Sequence, residues 1–296
     1  MNSTKLAWCL ALAGIVAAPV AAPAADAPDV FKPAGPWALD YGEDYCRLAR
    51  PFSDGRDDLS LSLERIEPGP SARLIVVSNA LKPFRSAQEI GWHFTPDDPP
   101  RKARYMHSVT AEGKQYYNLG PFTLAPATTP AAVFDRTKER AAANGKTGIL
   151  LDSGLNAPIA VETGDLAAPV TALQACADDL AKSWGLDPAK LQGEAAAAVP
   201  DKGGSGWLPQ GTIAFSDFAK LGGGANQVRL MVDATGKATS CTIHWPMLDA
   251  TTNEKICKTA LANARFTPAK DAAGQPMPGY WVASPLMMGP PFPGRR

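Results

Sequence analysis

A chain of 296 residues, 45% of them hydrophobic, has the material for one or two packed domains and is too apolar to be an extended disordered tail. Its 29 basic residues balance 29 acidic ones, which excludes a global field drawing it to nucleic acid or to an anionic membrane. Twenty-eight prolines disfavour a helical bundle, and His93, His107 and His244 lie too far apart in sequence to form a metal-ligand motif.

Residues 1–24 read as a signal peptide. Lys5 supplies the positive start, Leu6 to Ala18 an apolar run too short to span a bilayer, and Ala22-Pro23-Ala24 the small residues of a cleavage site after Ala24. This implies export, with the periplasm of a Gram-negative bacterium as the expected location. No later apolar run approaches 20 residues, so no membrane span is expected in the mature chain. Export places the cysteines in an oxidising compartment. Without Cys9, the four that remain, Cys46, Cys176, Cys241 and Cys257, allow three pairings; a two-domain division selects 46–176 with 241–257.

Residues 26–36 are expected to be an irregular arm, followed by an N-terminal α+β domain (25–187 in all). Leu59, Leu61 and Leu63 alternate with Ser60, Ser62 and Glu64, the period of a strand with one wet face. Further strands are predicted at 73–78, 88–95, 104–110, 115–124 and 147–151, separated by Pro- and Gly-rich turns. A helix is predicted over Ala131–Ala143. A second carries Leu173, Cys176, Leu180 and Trp184 on one face and stops at Gly185 and Pro188. Residues 188–206, rich in Ala, Gly and Pro, read as a flexible linker with a span of about 25 Å.

The last domain, 207–296, reads as hairpin, helix and final strand. Val228, Leu230 and Val232 share a face, Asp233-Ala234-Thr235-Gly236 reverses the chain, and the return strand carries Cys241 and Ile243 on one face. Thr251 and Glu254 suggest a capping box for a helix whose stripe is Ile256, Cys257, Ala260, Leu261 and Ala264. Cys257 then faces the sheet, within reach of Cys241.

Val228–Lys237, the pair Cys241 and Cys257, Ala264–Asp271 with Gly274 and Pro276, and the close at Tyr280-Trp281 together make residues 207–290 resemble the C-terminal domain of TonB-type energy transducers. The resemblance implies a small antiparallel sheet with one packed helix. It also implies a last strand, Tyr280, Trp281, Val282, Ala283, Ser284 and Pro285, that accepts an extended segment of an envelope or outer-membrane protein by strand addition. It departs from a working transducer, which keeps an uncleaved membrane helix and a long proline-rich arm. Binding survives that departure; force transduction does not follow from it.

Two other functions are weighed. Gly148-Ile149-Leu150-Leu151-Asp152-Ser153-Gly154 carries the apolar-apolar-Asp-Ser-Gly order of an aspartic-protease strand, but no second Asp-Ser/Thr-Gly follows, and two carboxylates must share a proton for that chemistry. A purely structural envelope protein is the third reading. Arg101-Lys102-Arg104 reads as a solvated basic turn, Asp57-Asp58 and Asp97-Asp98 as turn residues, and Gly222-Gly223-Gly224 as a loop rather than a phosphate cradle, so no cofactor is expected.

Overall fold

A computed structural model of the chain describes residues 27–125, 134–192 and 195–290; the targeting segment at 1–24 and the start of the helix expected at 131 lie outside them. The first unit comprises β1 (Asp29–Pro33), β2 (Ala38–Tyr41), β3 (Cys46–Ser53), β4 (Asp58–Arg65), β5 (Ala72–Val77), β6 (Glu89–Thr95), β7 (Arg101–Arg104), β8 (Met106–Val109), β9 (Gln115–Phe122), α1 (Arg136–Ala143), β10 (Gly148–Ser153), β11 (Ile159–Glu162) and α2 (Ala167–Ser183). Its strands form one sheet in the order β7-β6-β10-β11-β1-β3-β4-β5-β9-β8, with β2 also on β3. With the helices, this makes an α+β fold.

The supposed irregular arm is the joint of this sheet. Asp29–Phe31 of β1 pair in parallel with β11, and Lys32–Pro33 turn to pair antiparallel with β3. Phe31 is fully buried. The stretch is too short to show a period of its own; what fixes it is the pair of strands waiting on either side. The sheet then folds over on itself, so that Trp92 and Phe94 of β6 meet Phe122 of β9, with ring centroids 5.4 Å apart. Leu48, Leu61, Leu63, Leu74 and Val76 complete that core together with Leu173 and Cys176 of α2. Cys46 and Cys176 are disulfide-bonded, tying α2 to β3.

Three local expectations are corrected. Arg101-Lys102-Arg104 is the edge strand β7, paired with β6, because the Arg101 guanidinium lies 4.9 Å from the Trp92 ring and donates to Asp98 at 2.6 Å. The alternate face of β4 is not wet, since Ser62 and Glu64 are buried. The first described helix starts at Arg136, where the Asp135 carboxylate accepts from the Lys138 amide and supplies the N-cap.

The second unit comprises β12 (Val199–Pro200), β13 (Gln227–Val232), β14 (Ala238–His244), α3 (Ala250–Asn263), β15 (Phe266–Thr267), β16 (Ala269–Lys270), β17 (Pro276–Met277) and β18 (Gly279–Ala283). The three-stranded sheet β14-β13-β18 buries Val228, Leu230 and Val232 against Ile256 and Ala260 of α3. Asp249 caps α3 in place of the expected Thr251-Glu254 box, its carboxylate accepting from both the amide and the hydroxyl of Thr252. Cys241 and Cys257 are disulfide-bonded across sheet and helix.

The described part of 188–206 is packed rather than a free linker. Ala195 and Ala198 are buried in the second core, Ala196 bridges to Lys270, and β12 pairs with β15. Small residues looked like flexibility because they carry no apolar pattern, yet small size is what lets this strand pass close to its neighbours. Gly279, for example, lies so near Ala198 and Ala269 that a Cβ added there would meet the Ala269 methyl at 2.9 Å. No helix among the described residues is long and apolar enough to cross a membrane.

Candidate binding site at the seam between the two units

The sheet β14-β13-β18 has two faces. One is covered by α3. The other carries Arg229, Val282 and Tyr280 toward the first unit. The Arg229 guanidinium lies 4.0 Å from the Trp184 ring, donates to Asp44 at 2.9 Å and to the Thr242 hydroxyl at 3.1 Å. Tyr280 meets Trp184 edge-on, centroids 5.5 Å apart. Trp184 ends α2, eight residues after the disulfide at Cys176, so the first unit presents a braced aromatic platform to the second.

A second cationic contact lies along the same seam. Arg73 of β5 stacks on Trp245, 3.3 Å from the ring centroid. Gly224 closes the other side, where a Cβ would come within 3.0 Å of Arg73 Nη2. Trp245 has φ 45, a left-handed backbone that costs a bulky residue roughly 1–3 kcal/mol and that clusters at binding sites. Asn226 holds that loop: its amide donates to the Trp245 carbonyl at 2.9 Å, and its side-chain oxygen accepts from the Met247 amide at 3.2 Å.

Between the units lies a cavity of about 350 Å³, lined by Glu64, Glu67, Arg73, Gln227 and Val282 to Ser284, with Ile66, Pro121, Leu221 and Met287 as apolar walls. Arg47 binds one oxygen of Glu64, from Nε at 2.7 Å and from Nη2 at 2.6 Å. Glu64 Oε1 and Arg73 Nη1 are buried and have no hydrogen-bond partner among the described residues. Burial raises the Glu64 carboxyl above its ordinary value, opposed by Arg47 and then Arg73. It raises Glu67 to about 7, opposed by Arg65 and Arg73, and lowers Arg73 to about 10, opposed first by Glu64. Polar atoms buried without partners are costly in a finished core, so a ligand's polar groups would be held at this seam.

His244, at the end of β14, belongs to the same seam. Burial, then the positive charge of Arg229, lowers it to about 4, with Asp44 opposing and Arg73 adding to the depression. A base depressed in the folded state stabilises the fold fully above its unfolded value of 6.5, and that contribution is lost as pH falls toward 4. The loss amounts to about 3 kcal/mol at most. Urea midpoints for the wild type and for His244→Phe should therefore diverge between pH 7 and pH 4, the variant falling less. Parallel curves would mean that His244 is not held neutral by its surroundings.

The predicted site residues are distributed as follows. The four cysteines form the two bonds described. The last strand runs Gly279–Ala283, so Tyr280, Trp281, Val282 and Ala283 lie in it. Ser284 and Pro285 do not: the Ser284 hydroxyl accepts from the Leu286 amide at 3.3 Å and caps a 3₁₀ turn, Pro285–Met288, which proline cannot extend as strand. β18 pairs with β13 on one edge and with no strand among the described residues on the other. Asp152 lies 3.4 Å from His93 Nδ1 across β10 and β6. No group of three His, Cys, Asp or Glu side chains among the described residues is arranged to hold a metal ion.

Sequence reasoning missed Glu64, Glu67, Arg73, Arg229 and Trp184 as a group. Glu64 and Arg73 are cross-strand partners on β4 and β5 with Glu67 in the turn between them, but Trp184 follows α2 and Arg229 lies in β13, so no local pattern joins the five. In comparison with known proteins, the chain matches no family model, no curated protein and no solved structure.

Proposed function

We propose that this is an exported, periplasmic, non-enzymatic protein whose C-terminal unit is TonB C-terminal-like and binds an extended segment of an envelope protein by strand addition to β18. The observation that carries the reading is the outer edge of β18, unpaired among the described residues, on a small sheet stapled to its helix by Cys241–Cys257. An unpaired strand edge offers backbone donors and acceptors whose affinity depends little on the partner's sequence. The seam supports the same reading, because the cavity runs beside Val282, Ala283 and Ser284 and leaves room next to the strand. The disulfides fit an oxidising compartment, and the apolar segment with Ala22-Pro23-Ala24 fits export to it.

A photo-crosslinking amino acid placed at Ser284 in the full protein tests this against a Gram-negative envelope fraction. The expected result is a discrete adduct at Ser284, none from the same probe at exposed Glu254 on α3, and loss of the Ser284 adduct when Val282→Pro is added. Circular dichroism of the Val282→Pro protein checks that its fold is intact. An adduct that survives Val282→Pro in a folded protein, or equal labelling from Glu254, rules out strand addition at β18.

A further inference from the structure

We propose that the cavity at the seam is a receptor for the C-terminal carboxylate of an extended peptide, with Arg73 as the group that binds it. This rests on the strand-addition reading, since the peptide is the segment that lies along β18, and it adds which end of the segment is read.

The charges facing the cavity select the ligand. Of the charged residues lining it, Glu64 is paired with Arg47, and Glu67 has no ion pair among the described residues. Arg73 forms no such ion pair among the described residues, although it is only 5% exposed and its Nη1 is buried without a partner. A planar guanidinium held between the Trp245 ring and Gly224 keeps its rim for a planar acceptor, and a carboxylate matches that rim with two parallel hydrogen bonds. A phosphate dianion would set two negative charges beside Glu64 and Glu67, whereas a carboxylate sets only one against Arg73. The walls Ile66, Pro121, Leu221, Val282 and Met287 are apolar, which suits a small apolar last side chain. At about 350 Å³ the space is near the lower end for ligand pockets and suits a chain end rather than a chain passing through. Val282, Ala283 and Ser284 line it, so a segment laid along β18 can end there.

Calorimetry of the full protein with acetyl-Ala-Val-Ala-Val, as the free acid and as the C-terminal amide, tests the proposal. The acid should bind about tenfold more tightly than the amide, the margin expected of a charge-assisted hydrogen bond. Arg73→Gln should remove that preference, and Arg73→Lys should keep part of it. Equal binding of acid and amide, no binding of the acid, or a preference that persists in Arg73→Gln would overturn it. Glu67→Gln supplies a second reading that does not depend on Arg73→Gln folding. Glu67 faces Arg65, Arg73 and Tyr280, and removing its charge at pH 8 should tighten the acid while leaving the amide unchanged; an unchanged acid affinity counts against the proposal. Val282→Pro separates the two readings. If it weakens acid and amide alike, strand addition holds. If it affects neither while the preference for the acid remains, strand addition fails and the carboxylate site stands.

Discussion

Replacing Cys46 and Cys176 together by alanine is expected to lower stability by about 5 kcal/mol, the largest loss available from any single crosslink in the chain. The bond joins residues separated by 130 positions, and in the chain-entropy account the benefit grows with the length of the closed loop. The bond between Cys241 and Cys257 spans only 16 positions and should contribute about 3 kcal/mol. Guanidinium unfolding of the two double variants, monitored through tryptophan fluorescence, measures the difference directly. Loss of the long bond should also loosen α2, so the environment of Trp184 should change before the main transition. Equal losses from the two variants would mean that strain or residual structure, rather than loop closure, sets the benefit.

Glu139→Ala is expected to cost about 3–5 kcal/mol, more than a typical cavity at a surface helix, because it strands a buried guanidinium. Arg65 and Glu139 form an ion pair in which both side chains are almost fully buried. Gln174 of α2 donates to the second Glu139 oxygen at 2.7 Å, and the Phe134 ring lies 5.0 Å from the Arg65 guanidinium. The group fastens α1 to α2 and to the end of β4. The double variant Arg65→Met/Glu139→Leu should recover most of the loss, because the charges are stabilising mainly relative to each other and an apolar pair of similar volume needs no desolvation. Chemical unfolding of the two variants beside the wild type checks this; a double variant as unstable as Glu139→Ala would mean that the pair also positions the helices in a way packing cannot replace.

How much of this was legible in the sequence follows the physics of each element. The hairpin β13–β14, the helix α3 and the apolar face of α2 are local patterns with a period, and their residues fall where the pattern places them. The Leu59, Leu61, Leu63 alternation marked a strand correctly, but its polar partners misled: Ser62 and Glu64 are buried, not wet. A covered face can carry polar residues as long as charges answer them, as Arg47 of β3 answers Glu64, and alternation cannot distinguish that from solvent. The strand β1 and the packed stretch around Ala195–Pro200 were invisible for a different reason. Each owes its conformation to strands elsewhere in the chain, and neither carries enough apolar side chains to announce it.

The packing of 195–200 also moves the practical boundary of the second unit. A fragment beginning at Trp207 would remove β12, the partner of β15, and the Ala196 bridge to Lys270, so the second core would lose part of its own wall. It would also leave Arg229 without Asp44 and Trp184.

The path from β18 to β3 has a mechanical meaning. Tension applied along a segment bound to β18 would load the β18–β13 ladder in shear, the geometry in which backbone hydrogen bonds share force rather than open one at a time. From the ladder the load would pass through Arg229 of β13 and Tyr280 of β18 to Trp184, along α2, and through the covalent Cys46–Cys176 bond into β3, at the middle of the large sheet. The yielding point of that route is the aromatic and ionic contact at Trp184. Under a rising pull, the two units would part there and at the Arg73–Trp245 stack, while each kept its own disulfide.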